Sequence, residues 1–376
     1  MPIPYGKQWV SDEDVASVAA SLQDDWITMG PRVDQFESDI ARLAGTRGAV
    51  AVTSGTAALH AAYAGIGVGH GDEVITTPLT FVATASTAVM RGASVTFADV
   101  EPDTGNIDPE SVRALMSPKT RVVSAVDFAG HPAELDLLLP IAHDSGAVLL
   151  EDAAHSIGSD YREKPVGSIA DVTTFSFFPT KNVTTGEGGA VVARDEGILE
   201  RTRRFRSHGL VRDSALQRYP DEGAWHQEVH EFGLNYRLPD ILCALGISQL
   251  RRIHEFKERR QTIFDRYVAG LQDVEGITLP AHRPYVSPMW HLFPIRVQDG
   301  RRREVFDRLR SQGIIVQVNY IPAYWHPVFE DLGYRRGMCP NAEEYYREEI
   351  SLPMFASLTD SDQDVVIDAV RTAVGA

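Results

Sequence analysis

A chain of 376 residues, 43% hydrophobic and 23% charged, is long enough to bury a large core and suggests two or three domains. Its formal net charge of −16 excludes nucleic acid or an anionic membrane surface as the main partner, since both need a basic footprint; an anionic substrate would require local clusters of arginine. Two cysteines, Cys243 and Cys339, supply neither a disulfide framework nor a cysteine-rich metal site. The start MPIPYGKQWV lacks a secretory pattern, and no apolar run nears the roughly 18 residues of a membrane span, so a soluble cytoplasmic protein is expected.

In chain order, a short extended arm is followed by a helix predicted from Ser11 to Leu22, with Ser11 as N-cap, and a second from Pro31 to Ala44, ended by Gly45. Strands and helices then alternate: AVAVT, a helix from Gly55, EVITT, a helix from Thr80, SVTFA, a helix from Pro109, RVVSAV, a helix from Glu134, and AVLLE. That alternation predicts an α/β domain with a largely parallel sheet. A β-branched and aromatic run from Val172 to Phe178 reads as a buried strand, and Gly186, Gly188 and Gly189 turn the chain into the next one. From Pro239 to Leu271 the pattern predicts one long helical stretch. HLFPIRV and IIVQVNY then read as strands around a helix from Arg301 to Gln312, with helices at Asn341 to Glu349 and Thr359 to Val374. The expected division is a large domain of residues 1–248 with its N-terminal arm, and a smaller C-terminal α+β domain of residues 249–376.

Ligands of open α/β sheets gather at the carboxyl ends of strands. AVAVT runs into Ser54, Gly55 and Thr56 and then a helix, so backbone N–H groups and a helix N-terminus face one place, as a phosphate requires. AVLLEDAAHS ends a strand on Asp152, with His155 three residues on. A carboxylate there suits a protonated pyridine-like nitrogen, and the histidine suits a ring oxygen. Lys181 follows the most apolar run that any lysine of this chain adjoins, and burial lowers an amine's pKa toward that of a Schiff-base nucleophile. Phe81 offers a face to a flat ring and Ser176 a hydroxyl to a phosphate. Taken singly, each reads as an ordinary core, cap or loop residue; together they are what pyridoxal 5'-phosphate requires.

The segments SGTAALH, GDEVITTPLTFVATA, AGHPAELD, EDAAHSIG, FSFFPTKNVTTGEGG, RSHG and GLNYRLPDILCALGISQL resemble, in order and over essentially the whole chain, the DegT/DnrJ/EryC1/StrS family of sugar-nucleotide aminotransferases. The resemblance implies the aspartate-aminotransferase-like fold (fold type I), with a mainly parallel seven-stranded sheet. It also implies that Lys181 carries the cofactor, Asp152 pairs with the pyridine nitrogen, His155 bonds the ring hydroxyl, and Gly55, Thr56 and Ser176 hold the phosphate. Asn235 in GLNYR matches an asparagine that reaches the neighbouring subunit's cofactor, which implies a homodimer with shared active sites. Within the family, RSHG, YYREEISLP and the spacing of the C-terminal half look most like the 4-aminotransferases of pseudaminic acid synthesis; His208, Phe178, Asn319 and Tyr320 are the substrate-side candidates. Three positions depart from the family pattern: Phe178, where histidine or asparagine is common, and Asn319 and Asp127, each in place of a frequent histidine. All three are expected on the substrate side.

The expected activity is amination at carbon 4 of a nucleotide-linked 4-keto-6-deoxy hexose, UDP- or dTDP-linked, with L-glutamate as the expected donor. An apolar wall of Phe177, Phe178 and Phe81 would suit a deoxygenated sugar face. A 3-keto sugar nucleotide is the competing substrate. A sugar dehydratase on this scaffold would carry histidine in place of Lys181, and a non-enzymatic regulator would be expected to carry an appended signalling or DNA-binding segment. The glycines of AGIGVGHGD follow a helix and read as its exit, not as a dinucleotide loop. His226 and His230 have metal-like spacing, but Gln227 stands where a zinc-protease motif needs glutamate, so a solvated loop is expected. RTRRFRSHG reads either as a solvated helix face or as local positive charge for a diphosphate.

Overall fold

The structure, a computed structural model, describes residues 2–375. Its centre is a seven-stranded sheet made of β1 (Ala49–Val52), β2 (Glu73–Thr76), β3 (Ser94–Phe97), β4 (Thr120–Val126), β5 (Val148–Asp152), β6 (Val172–Ser176) and β7 (Gly189–Ala193). The order across the sheet is β1-β7-β6-β5-β4-β2-β3. The pairings from β3 through β6 are parallel, and β7 runs antiparallel to both of its neighbours. β1, β6 and β7 are buried along their whole length, which explains why these strands read as continuous apolar runs rather than as alternating ones.

The helices cover both faces. α1 (Asp12–Ser21) begins at a Ser11/Asp14 capping box, as its sequence predicts. α2 (Pro31–Leu43) packs Phe36 and Ile40 into a cluster with Phe177 and Cys243. α3 (Gly55–Ile66) is buried from Ala57 to Ile66, and its alanines allow it to lie close against the sheet. α4 (Ala83–Met90) starts three residues later than the sequence suggests, while α5 (Pro109–Leu115) and α6 (Leu135–Asp144) begin at or within a residue of their predicted starts. α7 (Glu196–Arg206) packs on α3, where Gly65 leaves no room for a Cβ beside Thr202.

Two expectations are corrected beyond this point. The stretch from Pro239 is two helices, α8 (Asp240–Arg251) and α9 (Ile253–Leu271), because Arg252 leaves the helical region at φ −101°, ψ 9°. IIVQVNY is not a ladder strand; it makes single bridges, Ile3 to Ile314 and Gln317 to Ser351. The second sheet instead comprises β8 (Ile277–Thr278), β9 (Phe293–Val297) and β10 (Glu349–Leu352), all antiparallel. α9, α10 (Arg302–Ser311) and α11 (Asp360–Gly375) share its core, in which Phe264 stacks on Trp290 at 3.9 Å.

The division into units of residues 1–248 and 249–376 is our proposal. The 248/249 point lies in the last turn of α8, and Tyr324, Phe329 and Tyr345 from the C-terminal side pack into the same core as Phe97 of the large sheet. The N-terminal arm lies along the smaller sheet's edge, where Ile3 pairs with Ile314 and the Tyr5 carbonyl accepts the Met354 N–H at 3.1 Å.

Candidate active site

Strand ends build the site. Where β1 stops, Ser54 caps α3 by accepting the Ala57 N–H at 3.1 Å, and the Gly55 and Thr56 N–H groups before it have no intrahelical acceptor. Gly55 is required there by space: a Cβ would stand 2.8 Å from the Cβ of Ser176 and 2.9 Å from its hydroxyl. The end of β6 thus brings the Ser176 hydroxyl directly onto the helix N-terminus, a combination suited to a phosphate.

Asp152 closes β5 and is almost fully buried. Its Oδ2 accepts the Thr84 hydroxyl at 2.7 Å and its Oδ1 the Ala154 N–H at 3.2 Å. Burial pushes this carboxyl up, against those two donors and the nearby Lys181 ammonium. Lys181 lies in the loop beyond β6, held by its own N–H to the Phe178 carbonyl at 2.9 Å. Burial lowers its amine to about 8, opposed by Asp152, so the free base is within reach near neutral pH.

His155 is buried beside them, with Nε2 at 3.0 Å from the Tyr320 hydroxyl and no partner for Nδ1. Burial, then Lys181, pushes its imidazole well below the usual range, so it is neutral. The ring of His291 lies 4.3 Å away, also neutral by burial and also with a buried, partnerless Nδ1.

These groups line one cavity of about 510 Å³. Gly55, Thr56, Phe81, Asp152, His155, Ser176, Phe178, Lys181, Asn319 and Tyr320 all border it, brought together from both ends of the chain. Phe81 and Phe178 are exposed at its mouth, and Phe81 meets Tyr320 edge-on at 6.5 Å. Asn235 and His208 do not border it. They sit together on an exposed strip where Ser207 bridges to Asn235 and the His208 N–H donates to the Leu234 carbonyl at 3.0 Å.

Two expectations are corrected. Phe177 is absent from the apolar wall: it points to the opposite face of the sheet from its neighbours and packs edge-on against Phe36 at 5.3 Å. Asp127 does not face the cavity but is sealed beneath it, accepting the Ser156 hydroxyl at 2.5 Å and the Ala133 N–H at 3.0 Å. The arginines of α7 are engaged within the chain: Arg201 with the Gly65 carbonyl at 2.6 Å, Arg204 with Glu231 at 3.5 Å, and Arg206 with Glu37 at 2.5 Å. His226 and His230 both turn toward Glu228, at 3.3 and 2.5 Å. The sequence reading passed over Thr84, Tyr5 and His291. Thr84 carried a usable signal in its place just after Phe81. Tyr5 carried none, because the Asn319 amide that meets its hydroxyl at 2.7 Å is 314 residues away in the chain.

The DegT/DnrJ/EryC1/StrS aminotransferase family matches residues 9–371. The chain is 38% identical over 378 residues to the spore coat polysaccharide biosynthesis protein SpsC of Bacillus subtilis, covering 99% of this chain and 97% of that one. It is 35% identical over 375 residues to the UDP-4-amino-4,6-dideoxy-N-acetyl-β-L-altrosamine transaminase of Campylobacter jejuni, covering 98% and 96%. Among solved structures, Spr1654 of Streptococcus pneumoniae in its PLP form superposes with a TM-score of 0.93 at 28% identity, covering 100% of this chain and 99% of that one.

Proposed function

The chain belongs to the DegT/DnrJ/EryC1/StrS aminotransferase family, and we propose that it aminates carbon 4 of a nucleotide-linked 4-keto-6-deoxy hexose, with L-glutamate as donor and a UDP-linked, N-acetylated sugar as the preferred acceptor. It is a pyridoxal-phosphate-dependent aminotransferase, and its class of chemistry is sugar amination. The observation that carries the reading is the meeting of Lys181, lowered to about 8, with the buried Asp152 carboxyl in one cavity that a helix N-terminus also borders. The finer choice of sugar is supported by the Campylobacter relative, whose name gives a UDP-linked sugar with nitrogen at carbon 4 and no oxygen at carbon 6. The apolar rings of Phe81 and Phe178 at the cavity mouth suit such a face.

The residues fit the cofactor. The absence of a side chain at Gly55 lets the Ser176 hydroxyl stand against the start of α3 beside the cavity, and His155 Nδ1 is a buried polar atom without a partner. When bound, pyridoxal phosphate supplies the electron sink that makes the donor's α-proton removable and carries the amino group between the two half-reactions. In our reading Lys181 binds it covalently, and the freed Nζ then takes the α-proton of the donor and delivers it back within the same half-reaction. Asp152 holds a proton on the ring nitrogen, and the resulting cation offsets the burial that otherwise disfavours its carboxylate. The Thr84 hydroxyl and Ala154 N–H aim that carboxylate, so its charge is in place before the electrons arrive. Gly55, Thr56 and Ser176 hold the phosphate, Phe81 covers the ring, and neutral His155 bonds the ring oxygen. Asn235, exposed on its own subunit, completes the phosphate site of a partner copy in a cytoplasmic homodimer. Asn319 and Tyr320, which border the cavity, contact the sugar nucleotide.

The test is a panel of UDP- and dTDP-linked 3-keto and 4-keto sugars with several amino acids, read by mass spectrometry alongside the cofactor's absorbance. The expected result is amination of 4-keto-6-deoxy acceptors with glutamate. Amination of 3-keto isomers with every 4-keto isomer untouched removes the regiochemical reading and leaves the aminotransferase standing.

A further inference from the structure

Behind Asp152 lie two carboxyl groups that the transamination chemistry does not use. Asp127 follows β4, and Glu151 precedes Asp152 on β5. Both are fully buried, and because Ala125 is the register partner of Glu151 in the β4–β5 pairing, Asp127, two residues on, presents its carboxyl on the same face as that of Glu151, placed to hydrogen-bond to it. Two carboxyl groups can do so only if one of them carries a proton. The remaining contacts decide which oxygen faces that proton. Asp127 accepts the Ser156 hydroxyl on Oδ2 and the Ala133 N–H on Oδ1. Glu151 Oε2 accepts the Thr173 hydroxyl at 2.8 Å and the Gly167 N–H at 3.2 Å. Glu151 Oε1 is buried with no N–H or hydroxyl donor, which leaves it to Asp127. No arginine, lysine or histidine pairs with either carboxyl among the described residues, so nothing else neutralises a second charge there.

We propose that Asp127 and Glu151 share one proton and that the resulting pair positions Asp152 and His155, a role that rests on the site assignment above. The links are direct. The Asp127 N–H donates to the Asp152 carbonyl at 3.1 Å, and its carboxyl holds Ser156, the residue after His155. The same turn is tied from the other side by the Asn182 side-chain amide, which donates to the His155 carbonyl at 2.8 Å. Asp127 thus ties the end of β5 to the turn that presents the histidine, and the shared proton lets it do so without placing two charges in the core.

Infrared difference spectra of the apoprotein near neutral pH test the proton without any cofactor. Wild type minus Glu151→Gln, and independently wild type minus Asp127→Asn, should each show a carboxylic-acid carbonyl band above the amide region. Glu349, another fully buried carboxyl, is common to both members of each pair and cancels. Absence of the band from the difference spectra of folded variants overturns the shared proton, and either variant alone suffices if the other fails to fold. The positioning role is read in the holoenzyme. Asn at position 127 can donate an amide hydrogen where the acid proton stood, so Asp127→Asn should turn over at least about tenfold faster than Asp127→Ala and keep the wild-type pH midpoint of the cofactor's absorbance, while Asp127→Ala shifts it. Equal loss in both variants, or an unshifted midpoint in Asp127→Ala, overturns the positioning role. A holoenzyme without cofactor on Lys181 would instead remove the underlying site assignment and leave the infrared result intact.

Discussion

Lys181 and Asp152 show how one environment acts oppositely on two charges. Burial lowers the amine and raises the carboxyl, and each opposes the shift of the other. For the lysine the sign is definite: its folded value, about 8, lies below the ordinary 10.5, so the free-base fraction grows as pH rises through 8 and is already substantial where surface lysines are fully protonated. Competitive acylation of the apoprotein, mapped by peptide, should therefore place the Lys181 midpoint about two units below those of surface lysines; a midpoint among theirs would contradict the buried-amine argument. Asp152→Asn should keep the fold, because the amide carbonyl can still accept the Ala154 N–H while its NH2 donates to the Thr84 hydroxyl oxygen, yet lower kcat by roughly 10²-fold or more, since the neutral side chain cannot hold a proton on the ring nitrogen. Unchanged turnover would refute that role. These residues were legible from their strand-end positions. The orientation of Asp127 was not: a residue just past a strand can face the ligand or the core, and its bonds to Ser156 and Ala133 turn it toward the core.

The start of α3 is the element on which the phosphate argument turns. Gly55→Ala would bring a methyl to 2.8 Å from Ser176, and overpacking of this kind costs about 1–3 kcal/mol. The strain falls on the proposed phosphate site, so pyridoxal phosphate affinity, measured by fluorescence quenching, should weaken by at least about fivefold while circular dichroism stays unchanged. Undiminished affinity would separate this turn from the cofactor. The neighbouring elements mark how far periodicity carries. The strand-helix alternation was readable because each segment is short and punctuated by Gly, Pro or a cap. The break at Arg252 was not, because residues on both sides of it keep helical composition and no Gly or Pro stands at the interruption. IIVQVNY has strand composition, yet its flanks pair with the arm and with Ser351 one residue at a time.

Over the whole molecule, the cavity draws on both ends of the chain: Tyr5 from the arm, Lys181 from the centre and Asn319 from the C-terminal part. Asn235 and His208 lie elsewhere, near a segment that exposes Trp225 at 83% and Phe232 at 97%. Large aromatic rings left in water next to a proposed cofactor ligand fit a surface that a second copy covers. Sedimentation at low micromolar concentration should show two chains per particle, and a monomer that binds cofactor and turns over would rule out the shared site. The net charge of −16 opposes an anionic substrate, and the α7 arginines are committed to partners within their own chain, so in our reading charge compensation for a diphosphate comes from other groups.

By itself the sequence determined the α/β alternation, the strand-end residues of the proposed cofactor site and the family, because each of these is written in short segments: a strand, the polar residue that ends it, and the helix that follows. Only the tertiary structure decided which side chains face the cavity, how the arm's Tyr5 meets Asn319, and that Asp127 lies beneath the site while Phe177 lies on the far face. Those outcomes depend on the pleat of a sheet and on contacts between residues hundreds of positions apart, and no local pattern encodes either.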